Sequence, residues 1–250
     1  QDGWQLPDMV ALCEVENDTV MRDLTRRSLL RSARYEYVMT DSPDERGIDV
    51  ALMYSPFSFA MINHRTVRIS PPDGMRPTRD LLYVCGMTAD GDTLHVIVTH
   101  MPSRRSGVRV TDRYRDIVAR SVVALADSVR LLSPDAPVIV AGDFNEYAGN
   151  GCVATVCGAG FTDVSDGAVG CNGAEGTYRY HGGWGSLDHV LVSGTLARRF
   201  AGCRVEDAAF LIEEDGRYGG VKPRRNYLGP RWLDGYSDHL PLVVRFSYGP

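Results

Sequence analysis

Glu14, His100, Asp143, Asn145, Asp188, Asp238 and His239 are carboxylates, an amide and imidazoles, and each stands at one end of an apolar run. The pattern is plainest in Pro137-Val138-Ile139-Val140-Ala141-Gly142-Asp143-Phe144-Asn145. β-Branched residues run into a glycine, and the next polar side chains are Asp143 and Asn145. This reads as a buried strand that delivers both to its C-terminal edge, where open α/β sheets keep their ligands. Leu94 to His100 and Met9 to Glu14 end in the same way, while Asp188 and Asp238-His239 open the runs Val190-Leu191-Val192 and Leu240 to Val244. Five strands with such ends describe a site.

Oxygen donors with imidazole suit Mg²⁺ or Mn²⁺, which keeps waters and takes one or two carboxylates, with substrate phosphate completing its shell. The thiols are not placed among these residues, so zinc fits less well. A divalent ion beside a phosphate would neutralise developing charge, and a carboxylate could activate the attacking water. A neighbouring carboxylate would favour protonated imidazole as a donor to phosphoryl oxygen. The chemistry indicated is metal-assisted hydrolysis of a phosphate ester.

The elements that must position these groups alternate along the chain. A helix is expected over residues 18–33, with Asp18 as its N-cap and Arg26, Arg27 and Arg31 toward its C-terminal half. Strands are expected over 35–39, 47–54, 59–69, 81–87 and 94–100. A basic loop then carries Arg104 and Arg105, candidates for contact with substrate phosphate, and the Arg224-Arg225 pair is a weaker one. Tyr114, Ile117, Val118, Leu125, Val129 and Leu132 recur at helical spacing until Ser133-Pro134 stops them. A short helix is expected near Val153, and His95 and His189 read as structural. Strands interleaved with two good helices predict a two-sheet α/β core.

The totals agree with an ordinary soluble globular protein. At 250 residues, 44% hydrophobic and 24% charged, residues 1–250 can form one domain. No apolar run approaches the ~20 residues that span a bilayer. A net charge of −5 argues against general attraction to polyanions, though not against a local basic cleft. The first residue is Gln1, so the compartment stays open, export with a removed leader included. Cys13 and Cys85 read as buried thiols, while Cys152, Cys157 and Cys171 could form a disulfide in an oxidising compartment.

Glu14 in Leu-Cys-Glu-Val-Glu-Asn, His100 in Val-Thr-His-Met-Pro-Ser-Arg, Asp143 and Asn145 in Gly-Asp-Phe-Asn, Asp188 in Leu-Asp-His-Val-Leu-Val-Ser, and Asp238-His239 in Ser-Asp-His-Leu-Pro together resemble the endonuclease/exonuclease/phosphatase superfamily. Gly-Asp-Phe-Asn alone would be weak, but all five in order span nearly the whole chain. The resemblance implies the deoxyribonuclease I-like fold, a four-layered α/β sandwich of two mainly antiparallel sheets flanked by helices, and hydrolysis dependent on Mg²⁺ or Mn²⁺. It implies Glu14 and Asp238 as metal ligands, Asp143 as the residue that orients or deprotonates water, and Asn145 as its partner. It further implies His239 on the phosphate, Asp188 holding that imidazole, and His100 as a second phosphate-site histidine.

The family's first strand, which carries an asparagine that helps bind metal or phosphate, has no counterpart here. The sequence starts only a few residues before the Glu14 strand, and Asn17 and Asn63 lie in the wrong context to replace it. A trimmed chain with an exposed sheet edge is the expectation. The leading function is a phosphodiesterase or nuclease acting on a phosphate ester, with nucleic acid as one candidate substrate and no obligate protein partner. The alternatives are a phosphomonoesterase of a small or lipid phosphate and a catalytically impaired binding protein that keeps the pocket.

Overall fold

The structure is a computed structural model that describes residues 6–71, 73–104 and 108–247. In its first half β1 (Met9–Val15) and α1 (Asp18–Arg22) precede β2 (Glu36–Met39), β3 (Asp49–Tyr54), β4 (Phe59–Val67), β5 (Leu81–Thr88) and β6 (Thr93–His100). Helix α2 (Val108–Leu132) then leads to β7 (Val138–Asp143), α3 (Gly151–Gly158) and β8 (Phe161–Asp163). The hairpin β9 (Tyr178–Tyr180) and β10 (Gly183–Gly185) follows, with β11 (Asp188–Ser193), α4 (Gly194–Ala197) and β12 (Phe200–Val205). Two small hairpins, β13 (Ile212–Glu214) with β14 (Val221–Pro223) and β15 (Tyr227–Leu228) with β16 (Arg231–Trp232), precede β17 (Leu242–Phe246).

The main sheet has the order β4-β5-β6-β7-β11-β8 and is antiparallel throughout except at β6–β7. Parallel neighbours require a crossover, and α2 supplies it. Facing this sheet are β1-β3-β2 and the pair β12-β17; among the described residues β1 pairs only with β3, and β17 only with β12. Alternation along the strands sends Ile97, Val138, Val140 and Leu191 toward α2 and α3. Val96, Val98 and Val192 point the other way, against Val50, Leu52 and Tyr54 of β3. A third apolar cluster, with Met21, Tyr35, Ala51 and Met53, seats the helical segment after β1 on the outside of the second sheet. The result is the expected α/β sandwich of two mainly antiparallel sheets flanked by helices.

Two local expectations need correction. The helix expected over 18–33 is α1, a π-helical turn at Asp23–Arg27 and a 3₁₀ turn at Leu29–Ala33. Ser28 breaks it by taking extended backbone, and its hydroxyl caps the second piece by accepting from the Leu30 N–H at 3.0 Å. The N-cap is Asn17, whose side chain accepts from the Val20 N–H at 3.1 Å, while Asp18 accepts from the Tyr37 hydroxyl. Helix α2 buries Tyr114, Val118, Val122, Leu125 and Val129, a stripe at helical spacing, but Leu132 is exposed where the helix outruns the sheet. All six cysteines are free thiols, and no described helix is long and apolar enough to cross a membrane.

Gly142 sets the distance between β6 and β7. Its φ is +144°, and a Cβ placed there would stand 1.8 Å from the Thr99 carbonyl oxygen. Backbone cannot yield at that separation. Gly142→Ala should therefore destabilise the fold by about 2–4 kcal/mol, measured by urea denaturation.

Candidate active site

Register puts the first three groups side by side. In the parallel pair His100 stands opposite Asp143, and in the antiparallel pair on the other side Asp188 stands opposite Asp143. Opposed residues share a face, and this is the face turned to the second sheet. The Nε2 of His100 lies 3.4 Å from an oxygen of Asp143. Asn145, in the left-handed region at φ +49°, folds back so that its N–H and its side-chain amide donate to the two Asp143 oxygens at 2.7 and 3.0 Å. Asparagine tolerates that backbone better than most residues.

His239 arrives from the far end of the chain. Its segment bridges Tyr178 of β9, the two rings lie 4.9 Å apart, and its Nδ1 is 2.7 Å from an Asp188 oxygen. One ligand atom each from Asp143, Asp188 and His239 then falls within 4.8 Å of the others. Two hard carboxylates at this spacing suit a divalent ion of the Mg²⁺ or Mn²⁺ type, with the imidazole beside them.

Charge alternates through the cluster. Burial works against ionised Asp143, but the His100 hydrogen bond and the charges of His100 and His239, with the Asn145 N–H, hold it below the usual carboxylate range. Burial likewise works against protonated His239, yet Asp188, Asp143 and Asp238 outweigh it and push the imidazole up to about 9. His239 is thus a cation at neutral pH, with Nδ1 committed to Asp188.

The remaining expected residues are placed differently. Glu14 lies at a β-bulge with φ +60°, and its exposed carboxylate pairs with Arg46 at 2.8 Å, outside the Asp143–Asp188–His239 group. Its neighbour Cys13 faces inward instead. The Cys13 thiol contacts the Thr99 carbonyl and senses Asp143 and Asp188, and burial and those charges push it up. Asp238 lends its charge to His239 but no atom to the group. Arg104 donates to the buried Glu146 carboxylate and to the Asn145 carbonyl, so its guanidinium braces the loop behind Asp143. Arg105 lies outside the described residues.

His189 sits behind this layer and is 1% exposed. It follows Asp188 on β11 and therefore points to the opposite face. Its Nδ1 is 2.7 Å from Asp163, and its Nε2 is 2.9 Å from the Glu146 carbonyl. Both partners are acceptors, so the ring carries both protons. Although burial alone would lower its pKa, Asp163 and the Glu146 carbonyl raise it. Glu146 is thereby held at its carbonyl by His189 and at its carboxylate by Arg104 and Arg115.

Residues 1–247 match the Endonuclease/Exonuclease/phosphatase family. The chain belongs to that family. Among solved structures, the catalytic domain of human Nocturnin with bound sulfate shares 18% identity at a TM-score of 0.64, covering 97% of this chain and 82% of that one. A mannosyl-6-phosphatase of Bacteroides thetaiotaomicron shares 16% at 0.64, covering 96% and 85%. D. rerio TDP2 complexed with single-strand DNA product shares 18% at 0.57, covering 97% and 86%. At these identities the likeness is one of fold. No curated protein matches the sequence.

The Asp188–His239 pair predicts a pH dependence of stability. Because folding raises the His239 pKa from 6.5 to about 9, its contribution is complete below pH 6.5 and is lost as pH rises through 9. Urea unfolding in EDTA should show a fall of roughly 2–3 kcal/mol over that interval, and His239→Gln should flatten it. An unchanged slope in the variant would remove His239 from the linkage.

Proposed function

We propose that the protein is a divalent-metal-dependent phosphoester hydrolase of the phosphodiesterase or nuclease kind. The observation that carries this reading is the convergence of Asp143, Asp188 and His239 within 4.8 Å, backed by His100 and Asn145. Asp143, kept ionised by its neighbours, orients and deprotonates a water, and Asn145 fixes the carboxylate that does so. The His239 cation donates to a phosphoryl oxygen while Asp188 holds the ring, and His100 supports the opposite side of Asp143. Asp143 and Asp188 are the carboxylates nearest one another for Mg²⁺ or Mn²⁺, with Glu14 and Asp238 as further carboxylates; Glu14 would have to leave Arg46, and the protonated His239 faces the phosphate rather than the ion. When bound, such an ion would polarise phosphoryl oxygens and offset the charge that develops on them.

The neighbours in fold include a protein complexed with a single-strand DNA product and a mannosyl-6-phosphatase, so both ester classes are compatible with it. Tyrosine and arginine side chains beside His239 favour the diester. A second reading, a binding protein that keeps the pocket, draws on the Glu14–Arg46 pair.

Hydrolysis of bis-p-nitrophenyl phosphate and of p-nitrophenyl phosphate, with Mg²⁺ or Mn²⁺ and with EDTA, tests the assignment. Metal-dependent turnover favouring the diester is expected. Asp143→Ala and His239→Ala should each lower kcat by about 100-fold or more while the fold is kept. Full activity in both variants would defeat the mechanism, and preference for the monoester would move the assignment to a phosphatase.

A further inference from the structure

Beyond the reacting centre, the polar stretch between β12 and β17 carries two neighbouring arginines with no carboxylate in ion-pairing range among the described residues, Arg224 and Arg225. The other described buried and half-buried arginines are compensated: Arg79, Arg115 and Arg179, and Arg104, Arg130, Arg199 and Arg204, all reach an acid. Both side chains are half-buried, so the charges are partly desolvated and lack an anion.

Their position relative to the site is fixed. The Arg225 guanidinium lies 5.7 Å from the centre of the Tyr178 ring, and the His239 ring lies 4.9 Å from it. Arg225 and His239 thus border the same ring. Arg224 covers Tyr236 at 5.7 Å, and Tyr236 meets Phe210 edge-on, both rings more than half exposed.

The backbone beneath is rigid. The Tyr236 N–H donates to the Arg224 carbonyl at 2.7 Å, and the Arg224 N–H to the Leu211 carbonyl at 2.8 Å. Gly235 packs so closely that a Cβ there would lie 2.1 Å from the Arg225 carbonyl oxygen. Single hydrogen bonds to the Arg179 and Asp234 carbonyls orient the two guanidinium groups and leave their other N–H donors open. A planar fork held on a ring, with free donors and no counter-ion, is suited to bidentate contact with a phosphate.

We propose that Arg225, with Arg224 beside it, forms a second phosphate subsite that binds a phosphoryl group of the substrate other than the one hydrolysed. This rests on the phosphoester-hydrolase reading of the adjacent centre and narrows its substrate to molecules with at least two phosphates. A second phosphate reaches the rim either along a nucleic acid strand, whose bases would find the exposed Tyr236 and Phe210 rings, or on a small bisphosphate.

Titration calorimetry in EDTA, which separates binding from turnover, decides it. TpTpT carries two phosphates and TpT one; glucose 1,6-bisphosphate and glucose 1-phosphate make the same comparison for a small ligand. In at least one pair the wild-type protein should bind the two-phosphate ligand about tenfold or more tightly, the worth of one charge-assisted contact. Preference within the first pair alone identifies a nucleic acid strand, and within the second alone a small bisphosphate. Arg225→Gln should abolish the difference and Arg225→Lys should keep part of it, with unaltered thermal unfolding as the control for folding. Equal affinities, no measurable binding of any ligand, or a preference that survives Arg225→Gln would overturn the subsite. Turnover of bis-p-nitrophenyl phosphate by the same preparation with Mg²⁺ separates the two ideas. Turnover without the preference removes the subsite alone, and the preference without turnover removes the hydrolase reading alone.

Discussion

The close approach of β6 and β7 at Thr99 and Gly142 is the constraint on which the centre depends. Parallel pairing there puts His100 beside Asp143, and the antiparallel partner on the other side of β7 brings Asp188 to the same point. A slip of one residue in either register would turn the carboxylate or the imidazole away from its partner and toward the helices. The apolar residues below, Val138, Val140, Val96 and Val98, hold that register by their burial. Packing of the sandwich and alignment of the candidate site are therefore one fact.

Electrostatics builds on that frame in two layers. On the face toward the second sheet, Asp143 stands between His100 and His239, and His239 stands against Asp188. On the opposite face His189 pairs with Asp163 and holds the Glu146 carbonyl. Asp143, His239, Asp163 and His189 each have an opposite neighbour and a directed hydrogen bond, the condition under which burying ions is tolerable. The second layer lies on the other face of β11 from the Asp188 carboxylate. It secures the loop that begins at Asp143, so that the orientation of Asn145 is fixed from behind.

Much of this was legible in the chain itself. Asp143, Asn145, Asp188, His100 and His239 stand out because apolar alternation stops abruptly at a polar side chain, and strand ends in the sandwich do meet there. The helix stripe from Tyr114 to Val129 was readable for the same reason. Other features depend on partners far along the sequence. Nothing local ties Glu14 to Arg46, or Arg104 to Glu146, and a bulge with positive φ at Glu14 leaves no mark in the hydrophobic pattern. His189 reads as a strand residue until Asp163 is seen against it, and Cys13 reads as core until Asp143 and Asp188 are found nearby. The break at Ser28 is subtler, since serine within a helix is common and only its extended backbone ends the turn.

On this reading, the ends of β7 and β11 and the segment before β17 form one cation and phosphate centre. Diffraction from crystals soaked in Mn²⁺, recorded at the manganese absorption edge, tests it without reference to any substrate. An anomalous peak bounded by Asp143, Asp188 and His239 is expected, with its loss in Asp143→Ala crystals treated alike. A peak confined to another part of the molecule, or one at this centre that persists unchanged in Asp143→Ala, would contradict it.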